Sequence, residues 1–334
     1  MKVAVTGGTG LVGIHAIAQL LRDERSVRAL VRDESKLKAN LAPFAVPADK
    51  LEIVLGDIND PGAVAALLEG SNALIHWAGL FSNRFVDADL LQRTNVDGVK
   101  NVLGAAVERG LDPIIHISSY LALFPPQGAI QSADDPVTMP KSLYSRTKAA
   151  SELIARAMQA AGAPVVTIYP GSIQGPHDPT YGIGSQIIEQ SIKTGSWADA
   201  GGGRVYTDVR DLSLLLSRLL VPGQGPRRIM FGGYFLRDFE VGEILARVSG
   251  KPIKVNSVPG GLLRFIGSIS DVISQLTKKE FQLTREAAEV LTRSVPTDDS
   301  AALALLNGEM VGAEKSFQDL VDWMKAAGRL SPAA

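Results

Sequence analysis

The sequence has no cysteine, few histidines and no excess of charge of either sign, and each of these absences excludes a class of protein. Without cysteine there is no disulfide framework, no thiolate nucleophile and no cysteine metal site. The four histidines, His15, His76, His116 and His177, show no metal-ligand spacing, so we predict no metal site. The 34 basic and 35 acidic residues leave a net charge of −1, which offers nucleic acid no general attraction.

Long apolar runs are absent as well. No stretch approaches the roughly 18 uninterrupted apolar residues of a membrane-spanning helix, so no membrane span is expected. The most apolar segment, 260–276 (GGLLRFIGSISDVISQL), contains Arg264 and Asp271, which favours an amphipathic helix of a folded domain over a membrane anchor. The first residues lack the pattern of a signal peptide, and we therefore expect a cytoplasmic protein.

What the sequence does contain is a regular alternation of strand and helix patterns. Hydrophobic residues make up 46% of the 334 residues and charged residues 21%, as in an ordinary globular protein. Six apolar, β-branched runs predict strands that are buried on both faces: 2–6, 26–31, 51–55, 73–77, 113–118 and 164–169. The amphipathic stretches between them predict helices at 11–24, 61–70, 94–110 and 142–162. This alternation predicts an α/β fold with a doubly wound parallel sheet.

The regular alternation ends near residue 170, where glycine and proline become frequent. We expect a Rossmann-type dinucleotide-binding domain over 1–170. Residues 171–334 are expected to form mainly a smaller, partly interleaved substrate lobe, with some segments returning to the Rossmann core.

Three glycines at regular spacing, Gly7, Gly10 and Gly13, lie between the first strand and the first helix. In a dinucleotide-binding turn the first glycine permits the tight turn, the second lets the backbone approach the pyrophosphate, and the third lets the helix pack closely. The phosphates then lie at the helix N-terminus, beside its unpaired N–H groups. The pattern predicts such a phosphate site, and a glycine-rich turn without a ligand is the alternative.

The stretch TGGTGLVG (6–13), with its Gly-x-x-Gly-x-x-Gly spacing, resembles the cofactor turn of the extended short-chain dehydrogenases/reductases. Tyr144 and Lys148 match the Tyr-x-x-x-Lys motif of that superfamily, and TNVDGVKN (94–101) resembles its Asn-Val-x-Gly helix start. The resemblance covers nearly the whole chain, is strongest over 1–175, and is closest to dihydroflavonol-reductase-like and 3β-hydroxysteroid-dehydrogenase-like members. It implies an NAD(P)-dependent oxidoreductase, with a homodimer possible by analogy.

The choice of cofactor depends on the end of the second strand. Arg32 can bind the 2′-phosphate of NADP(H), with Lys36 and Lys38 behind it, whereas the neighbouring Asp33 could serve as an NAD-type carboxylate. We favour NADP(H) over NAD(H). In similar enzymes the aspartate after the third strand bonds the adenine amino group, and Asp57 has this place, although it could also cap the next helix.

The resemblance assigns further cofactor contacts along the chain. Ala78 and Gly79 match an Ala-Gly turn under the adenosine ribose, while Pro170 and Ile173 would pack on the nicotinamide. The full set of expected cofactor contacts is Gly7, Thr9, Gly10, Leu11, Val12, Gly13, Arg32, Asp57, Ile58, Ala78, Gly79, Tyr144, Lys148, Pro170 and Ile173.

The expected catalytic residues are Ser119, Tyr144, Lys148 and Asn95. Tyr144 and Lys148 are four residues apart on a predicted helix, which places both side chains on one face. A phenol with a pKa of about 10 is a poor acid–base group at neutral pH, and a nearby ammonium is expected to lower that pKa. A serine at the end of the fifth strand would polarise the carbonyl. Ser118 and Ser119 are both candidates, and the resemblance favours Ser119.

Asn95 would steady a water that relays protons to Lys148, or it could cap a helix, and the two roles are compatible. The chain also departs from the family pattern. Tyr169 replaces an arginine, Asp208 stands where tyrosine or histidine is commoner, Thr147 replaces a serine, and LALFPPQG (121–128) lacks the usual Val-Tyr-Gly. None of these changes removes a predicted catalytic atom.

The expected function is ketone–alcohol interconversion on a fairly apolar small molecule. One alternative is a nucleotide-sugar epimerase or dehydratase on the same scaffold, in which Arg204 and Arg210 could hold the substrate pyrophosphate. A second alternative is a non-catalytic dinucleotide sensor, although such proteins often lose the tyrosine or lysine that this chain retains.

Overall fold

The computed structural model describes residues 1–81, 87–140, 142–277 and 283–330. Its strands are β1 (Lys2–Thr6), β2 (Ser26–Val31), β3 (Leu51–Leu55), β4 (Ala73–His76), β5 (Ile114–Ile117), β6 (Val165–Pro170), β7 (Ser172–Gln174), β8 (Ser196–Asp199), β9 (Gly203–Asp208), β10 (Arg227–Phe231), β11 (Tyr234–Arg237) and β12 (Lys254–Ser257). Its helices are α1 (Leu11–Arg22), α2 (Glu34–Leu41), α3 (Pro61–Leu68), α4 (Ala88–Gln92), α5 (Gly98–Glu108), α6 (Leu143–Ala160), α7 (Ile183–Thr194), α8 (Val209–Arg218), α9 (Asp238–Ser249), α10 (Gly260–Thr277), α11 (Arg285–Arg293), α12 (Ser300–Leu306) and α13 (Ala313–Ala326).

Seven of these strands form one parallel sheet in the order β10-β6-β5-β4-β1-β2-β3. All six predicted strands are confirmed within a residue or two at each end, because their apolar runs have no helical period. The expectation that each strand is buried on both faces is wrong for β3, which is an edge strand without a buried residue. From β1 the chain adds β2 and β3 on one side, and from β4 it adds β5, β6 and β10 on the other side. The connections that follow the neighbouring strands β1 and β4 therefore run in opposite directions. In open α/β sheets this reversal opens a crevice where ligands bind.

Helices cover both faces of the sheet, which confirms the doubly wound fold. On one face α1 and α8 pack on the sheet through buried residues such as Ile17, Leu216 and Phe231. On the other face α3, α5 and α6 contribute residues such as Leu67 and Val102. The sheet therefore lies between two apolar layers and holds its carboxyl edge rigidly.

The second half of the chain builds a smaller layer and also returns to the main sheet. Strands β11, β9 and β7 form a three-stranded sheet, and β12 pairs with β8. Strand β10 nevertheless extends the large sheet beside β6, and α8 packs against α1. The last helix, α13, packs with α9 in a separate apolar cluster that includes Phe317 and Val241.

Helix α10 is the amphipathic helix predicted at 260–276, but six of its apolar side chains are exposed. The exposed residues are Leu262, Phe265, Ile266, Ile269, Val272 and Ile273. The polar side of α10 faces α11, where the Arg264 guanidinium donates to Thr292 Oγ1 at 2.9 Å. None of the helices in the described part of the chain has both the length and the apolar character needed to cross a bilayer.

A glycine at the start of α1 offers a test of how tightly the first turn is packed. A Cβ on Gly13 would collide with the carbonyl of Gly7, whereas a Cβ on Gly104 in α5 would meet no atom within 4 Å. We expect Gly13→Ala to lower the free energy of unfolding by about 1–3 kcal/mol through overpacking. The matched control, Gly104→Ala, should raise it by about 0.5–1 kcal/mol because alanine favours the helix. Urea denaturation of both variants measures this, and equal effects would contradict the packing argument.

Candidate active site

The turn between β1 and α1 gives each of its three glycines a different environment. Gly7 has a φ of +75°, and a Cβ there would lie only 2.8 Å from the backbone nitrogen of Ala78. Gly13 packs against the Gly7 carbonyl at the start of α1. Gly10 is extended, and a Cβ on it would lie 3.7 Å from the Gly7 carbonyl oxygen and 3.9 Å from Trp77 Nε1, which are ordinary contacts. Glycine is therefore sterically required at 7 and 13, whereas Gly10 has space above it.

The N-terminus of α1 has no side-chain cap, in contrast to the next two helices. Asp33 caps α2 by accepting from the Lys36 backbone N–H at 2.9 Å, and Asp60 caps α3 by accepting from Gly62 N–H at 2.9 Å. The unpaired N–H groups of the first turn of α1 are the kind of donors that bind a phosphate. The capping of α3 by Asp60 also shows that the capping role considered for Asp57 is wrong.

A cleft of about 280 Å³ opens beside this turn at the carboxyl edge of β1, β2 and β4. Eight of the predicted cofactor residues line it: Gly7, Thr9, Gly10, Arg32, Asp57, Ile58, Ala78 and Gly79. The sequence analysis did not single out Trp77, Thr94 or Thr180, which also line the cleft. Trp77 directly precedes the Ala-Gly pair, and its place in that motif was the signal available to find it.

The remaining predicted cofactor residues lie outside this cleft. Val12 is buried in the core, and Leu11 and Ile173 pack against the same core cluster. Pro170 is buried at the end of β6, and Gly13 packs on the turn behind the cleft. Tyr144 and Lys148 are on α6, the helix that leads into β6 on the other side of β4 from β2.

Arg32 and Asp33 take different roles at the end of β2. The Arg32 side chain is 80% exposed at the edge of the cleft, and its Nη1 lies 3.9 Å from Asp57 Oδ2. The carboxylate of Asp33 is engaged in the cap of α2. Asp57 accepts from the backbone and side-chain N–H groups of Asn59 at 3.0 and 3.1 Å. At this edge of the cleft, Arg32 is thus the less constrained of the two candidate side chains.

The first turn of helix α6 is hydrogen-bonded to a residue that is distant in the sequence. Ser142 caps the helix by accepting from Ser145 N–H at 3.2 Å. The carboxylate of Glu286 in α11 accepts from the backbone N–H and hydroxyl of Ser142, both at 2.7 Å, and from the Ser145 hydroxyl at 2.5 Å. Negative charge at a helix N-terminus is stabilising. Glu286 therefore fixes the first turn of α6, which carries Tyr144, against the C-terminal lobe.

The structure separates the two candidate serines at the end of β5. Ser119 is a hydrogen-bond partner of the Tyr144 phenol, and its hydroxyl oxygen also accepts from Leu121 N–H at 3.2 Å. Ser118 is buried and lies beside Glu152 instead. The ring of Phe81 packs on Tyr144 with the two centroids 4.6 Å apart. The side chain of Phe81, which is 54% exposed, therefore borders the Ser119–Tyr144 pair.

Burial dominates the protonation of the two titratable groups on this face of α6. It raises the pKa of Tyr144 above its usual value, with Tyr120 adding to the rise and the Ser119 hydrogen bond opposing it. Burial also lowers the pKa of Lys148 to about 8, against the charge of Glu152. The Lys148 ammonium donates to the carbonyl of Ile117 at 3.1 Å. The expected net lowering of the Tyr144 pKa is therefore wrong for this structure, because burial and Tyr120 raise that pKa.

Asn95 lies in a π-helical turn, Arg93–Asp97, that leads into α5. Its amide oxygen accepts from Leu80 N–H at 2.7 Å, and its nitrogen donates to the Leu80 carbonyl and to Thr147 Oγ1, each at 2.9 Å. The alternative of a helix cap is wrong, because no capping bond is formed. Asn95 instead ties the turn that follows β4 to the helix that carries Tyr144.

Two residues one and two turns beyond Lys148 were missed by the sequence analysis. Glu152 is buried, and its Oε1 accepts from Tyr169 Oη at 2.5 Å and from Arg156 Nε at 2.9 Å. Arg156 also donates to Tyr169 Oη at 3.3 Å. The chain thus has a guanidinium from α6 near the tyrosine that replaces the family's arginine. The i+4 spacing from Tyr144 through Lys148 continues to both residues and was the signal available.

The two arginines considered as pyrophosphate ligands are both paired with carboxylates. Arg204 Nη2 lies 3.3 Å from Asp238 Oδ1, and its guanidinium is 5.1 Å from the ring centre of Trp197. Arg210 donates to both oxygens of Asp208 at 2.9 and 2.8 Å and to Asp319 at 2.6 Å.

Comparisons with known proteins identify the family of the chain. The model of the NAD dependent epimerase/dehydratase family matches residues 3–220. A 4-hydroxy-2-methyl-3-oxo-4-farnesyl-3,4-dihydroquinoline-1-oxide ketoreductase of Stigmatella aurantiaca is 28% identical, over 96% of this chain and 89% of the relative. A 3β-hydroxysteroid dehydrogenase/Δ5→4-isomerase of Mycobacterium tuberculosis is 31% identical, over 72% of this chain and 65% of the relative.

The structure is also similar in fold to a solved UDP-glucuronic acid 4-epimerase of Bacillus cereus in complex with UDP-glucuronic acid and NAD. The TM-score is 0.75 at 19% identity, and the match covers 98% of this chain and 100% of the other. With the matching family model spanning residues 3–220 and the glycine turn, cleft and Tyr-x-x-x-Lys helix in place, the chain belongs to the NAD dependent epimerase/dehydratase family, as an NAD(P)-dependent oxidoreductase of the extended short-chain dehydrogenase/reductase type.

Proposed function

We propose that the protein is an NADP(H)-dependent oxidoreductase that interconverts a ketone and a secondary alcohol on an apolar small molecule. The observation that carries the proposal is the arrangement of Ser119, Tyr144 and Lys148. Tyr144 contacts Ser119, and Lys148 follows one helical turn later, with its ammonium 5.9 Å from the ring centre of Trp77 in the cleft. A phenol, a hydroxyl and an ammonium are what carbonyl reduction needs beside a hydride donor.

In the proposed reaction NADPH, when bound in the cleft, would supply the hydride that reduces the carbonyl carbon. The hydroxyls of Ser119 and Tyr144 hold the substrate oxygen, and Tyr144 gives it a proton as it gains negative charge. Lys148 binds the nicotinamide ribose and offers a positive charge that stabilises the resulting phenolate. Asn95 would steady a relay water near Lys148, while its own amide keeps the turn after β4 against α6.

Two features support an apolar substrate. The side of Tyr144 that faces outward is bordered by the exposed ring of Phe81. The relatives named above are, by their names, a ketoreductase of a farnesylated quinoline and a hydroxysteroid dehydrogenase. A carbonyl on an extended apolar framework fits both features.

The alternative reaction, on a nucleotide sugar, requires cations for the substrate pyrophosphate. Arg204 and Arg210 are the two arginines that we considered for this role, and carboxylates neutralise both. Freeing Arg210 would leave Asp208, which is buried, without its ion pair. This pairing favours the ketoreductase.

Arg32 tests the preference for NADP(H). We expect Arg32→Ala to weaken NADPH binding by about 1.5–3 kcal/mol, because it removes a charge-assisted contact to the 2′-phosphate, and to change NADH binding far less. Fluorescence titration with both cofactors measures the difference. The matched control is Lys38→Ala, because Lys38 does not line the cleft and its exposed ammonium is paired with Glu34. Equal losses for both cofactors would remove the basis for an NADP(H) enzyme.

Gly10 tests the position of the pyrophosphate. Since a Cβ fits at this position without a clash, Gly10→Val should still fold, and its methyl groups should lie where the phosphates must bind. We expect at least about a hundredfold loss of cofactor affinity, equivalent to about 2.7 kcal/mol. Thermal denaturation confirms the fold, and Gly104→Val, outside the cleft, is the control. Wild-type affinity in Gly10→Val would show that the phosphates bind elsewhere.

Tyr144 tests the chemistry itself. Tyr144→Phe removes only the hydroxyl, so it should leave cofactor affinity nearly unchanged and lower turnover at least about 10²-fold. The assay follows NADPH consumption at 340 nm over a panel of steroid, prenylated and long-chain ketones, with Tyr234→Phe as control. A reductase consumes NADPH stoichiometrically, whereas an epimerase regenerates its cofactor in every cycle. Wild-type turnover in Tyr144→Phe would refute the catalytic role of Tyr144, whereas NADPH binding without any NADPH consumption by the wild type would favour a dinucleotide sensor.

A further inference from the structure

Four ionisable side chains follow one another along a single face of α6. Tyr144, Lys148, Glu152 and Arg156 are spaced by four residues, which places each of them one turn after the last. Glu152 is fully buried, whereas Arg156 keeps 20% of its side chain exposed. Burying a carboxylate is costly unless it is paired and hydrogen-bonded. A buried acid next to a proposed catalytic lysine therefore calls for a physical reason.

The donors around Glu152 favour its ionised form. Tyr169 Oη and Arg156 Nε both donate to Oε1, at 2.5 and 2.9 Å. Arg156 is in turn fixed by the carbonyls of Ala133 and Asp135 at 3.2 and 3.0 Å. Burial raises the pKa of Glu152, and Tyr169, Arg156 and Ser118 each oppose the rise. The carboxylate is thus held by two elements, α6 and β6, and by the loop that fixes Arg156.

Among the residues that the structure describes, the other titratable groups that face Lys148 do not supply negative charge. His76 on β4 and His116 on β5 lie in the sheet beneath it, with their rings stacked 6.1 Å apart. Burial lowers the pKa of His76 to about 3 and that of His116 well below its usual value, so both rings are neutral near pH 7. Tyr144, on the same helix, is held in its neutral form by burial. Glu152 is the group whose charge favours the protonated form of Lys148.

We propose that Glu152 is a positioning residue that keeps Lys148 protonated at neutral pH, and that Tyr169 and Arg156 keep Glu152 ionised for this purpose. The inference rests on the proposed function, in which Lys148 must carry its charge to bind the ribose and to stabilise a phenolate. Glu152 acts only through Lys148 and does not contact the reacting atoms.

The sign of the expected effect follows from the geometry. Lys148 already has its pKa lowered by burial to about 8. Glu152→Gln removes the negative charge and preserves the size, so the pKa of Lys148 should fall further, by about one unit, the lower end of the effect of a close opposite charge. At pH 7 about half of the Lys148 side chains would then be neutral. As the pH rises, activity that requires the ammonium would therefore be lost at a pH about one unit lower than in the wild type.

The direct test is an NMR titration of the whole protein labelled with ¹³Cε-lysine. The signal of Lys148 is assigned as the one that disappears in Lys148→Met, and its midpoint is measured in wild type and in Glu152→Gln. We expect the midpoint to move down by about one pH unit. An unchanged or higher midpoint in a folded Glu152→Gln protein would overturn the proposal. This readout needs no substrate, so it stays informative if no ketone is ever turned over.

Two further variants separate the electrostatic role from packing. Tyr169→Phe removes one donor and leaves the carboxylate in place, so the midpoint of Lys148 should fall in the same direction by a smaller amount. This variant also covers the case in which Glu152→Gln does not fold. Gln159→Met is the matched control, because Gln159 is a buried polar residue further along α6 that bonds Thr167 and Val165. A midpoint that falls equally in Gln159→Met would mean that disturbed packing of α6 on β6, and not the carboxylate, sets the charge of Lys148.

Enzyme kinetics distinguish failure of this inference from failure of the proposed function. With an active ketone substrate, the alkaline limb of the rate–pH profile should move down by about one unit in Glu152→Gln, with thermal stability monitored separately. A lower NMR midpoint without any reductase activity would overturn the proposed function and leave the electrostatic link intact. A reductase whose profile and NMR midpoint are both unmoved by Glu152→Gln would overturn the link and leave the function intact.

Discussion

The close approach of two backbone segments at the reversal of the sheet is the constraint on which the site depends. Gly7 at the end of β1 lies so near to the backbone of Ala78 after β4 that a side chain at 7 would meet Ala78 N at 2.8 Å. This contact lets α1 begin directly at the carboxyl edge of the sheet and leaves the cleft between β1, β2 and β4 open. Leu80, two residues after Ala78, is then bonded to Asn95, which also bonds Thr147 on α6. The cleft and the helix of Tyr144 are thus joined through one short turn.

The sequence was sufficient to predict the parts of this arrangement that depend on local patterns. The six strands of the Rossmann-type sheet were predicted within one or two residues because their apolar runs are continuous, and α6 was predicted from its amphipathic period. The glycine spacing indicated the turn, because steric demands at Gly7 and Gly13 are set by immediate neighbours and by the next strand. The place of β10 beside β6 was not predicted, since it follows a long, irregular stretch that has no clear period.

The details that sequence reasoning missed are set by contacts between distant parts of the chain. Glu286 reaches the first turn of α6 from a residue more than a hundred positions away, and no local motif marks it. The apolar side of α10 was recognised as a stripe, but a pattern alone cannot say that this stripe faces outward while Arg264 faces α11. The protonation of Tyr144 was predicted in the wrong direction because spacing along a helix reports a charged neighbour and does not report desolvation.

That last difference has a chemical consequence for the proposed reaction. Burial keeps Tyr144 protonated, and the protonated phenol is the form that donates to a ketone oxygen during reduction. Oxidation of an alcohol needs the phenolate instead, which this environment disfavours unless positive charge is held beside it. Lys148 is the nearby source of that charge, and with a pKa of about 8 it is protonated only below mildly alkaline pH. In the proposed reaction, burial therefore favours the protonated phenol that reduction uses, and in the proposed link the carboxylate of Glu152 extends the pH range over which the Lys148 ammonium persists.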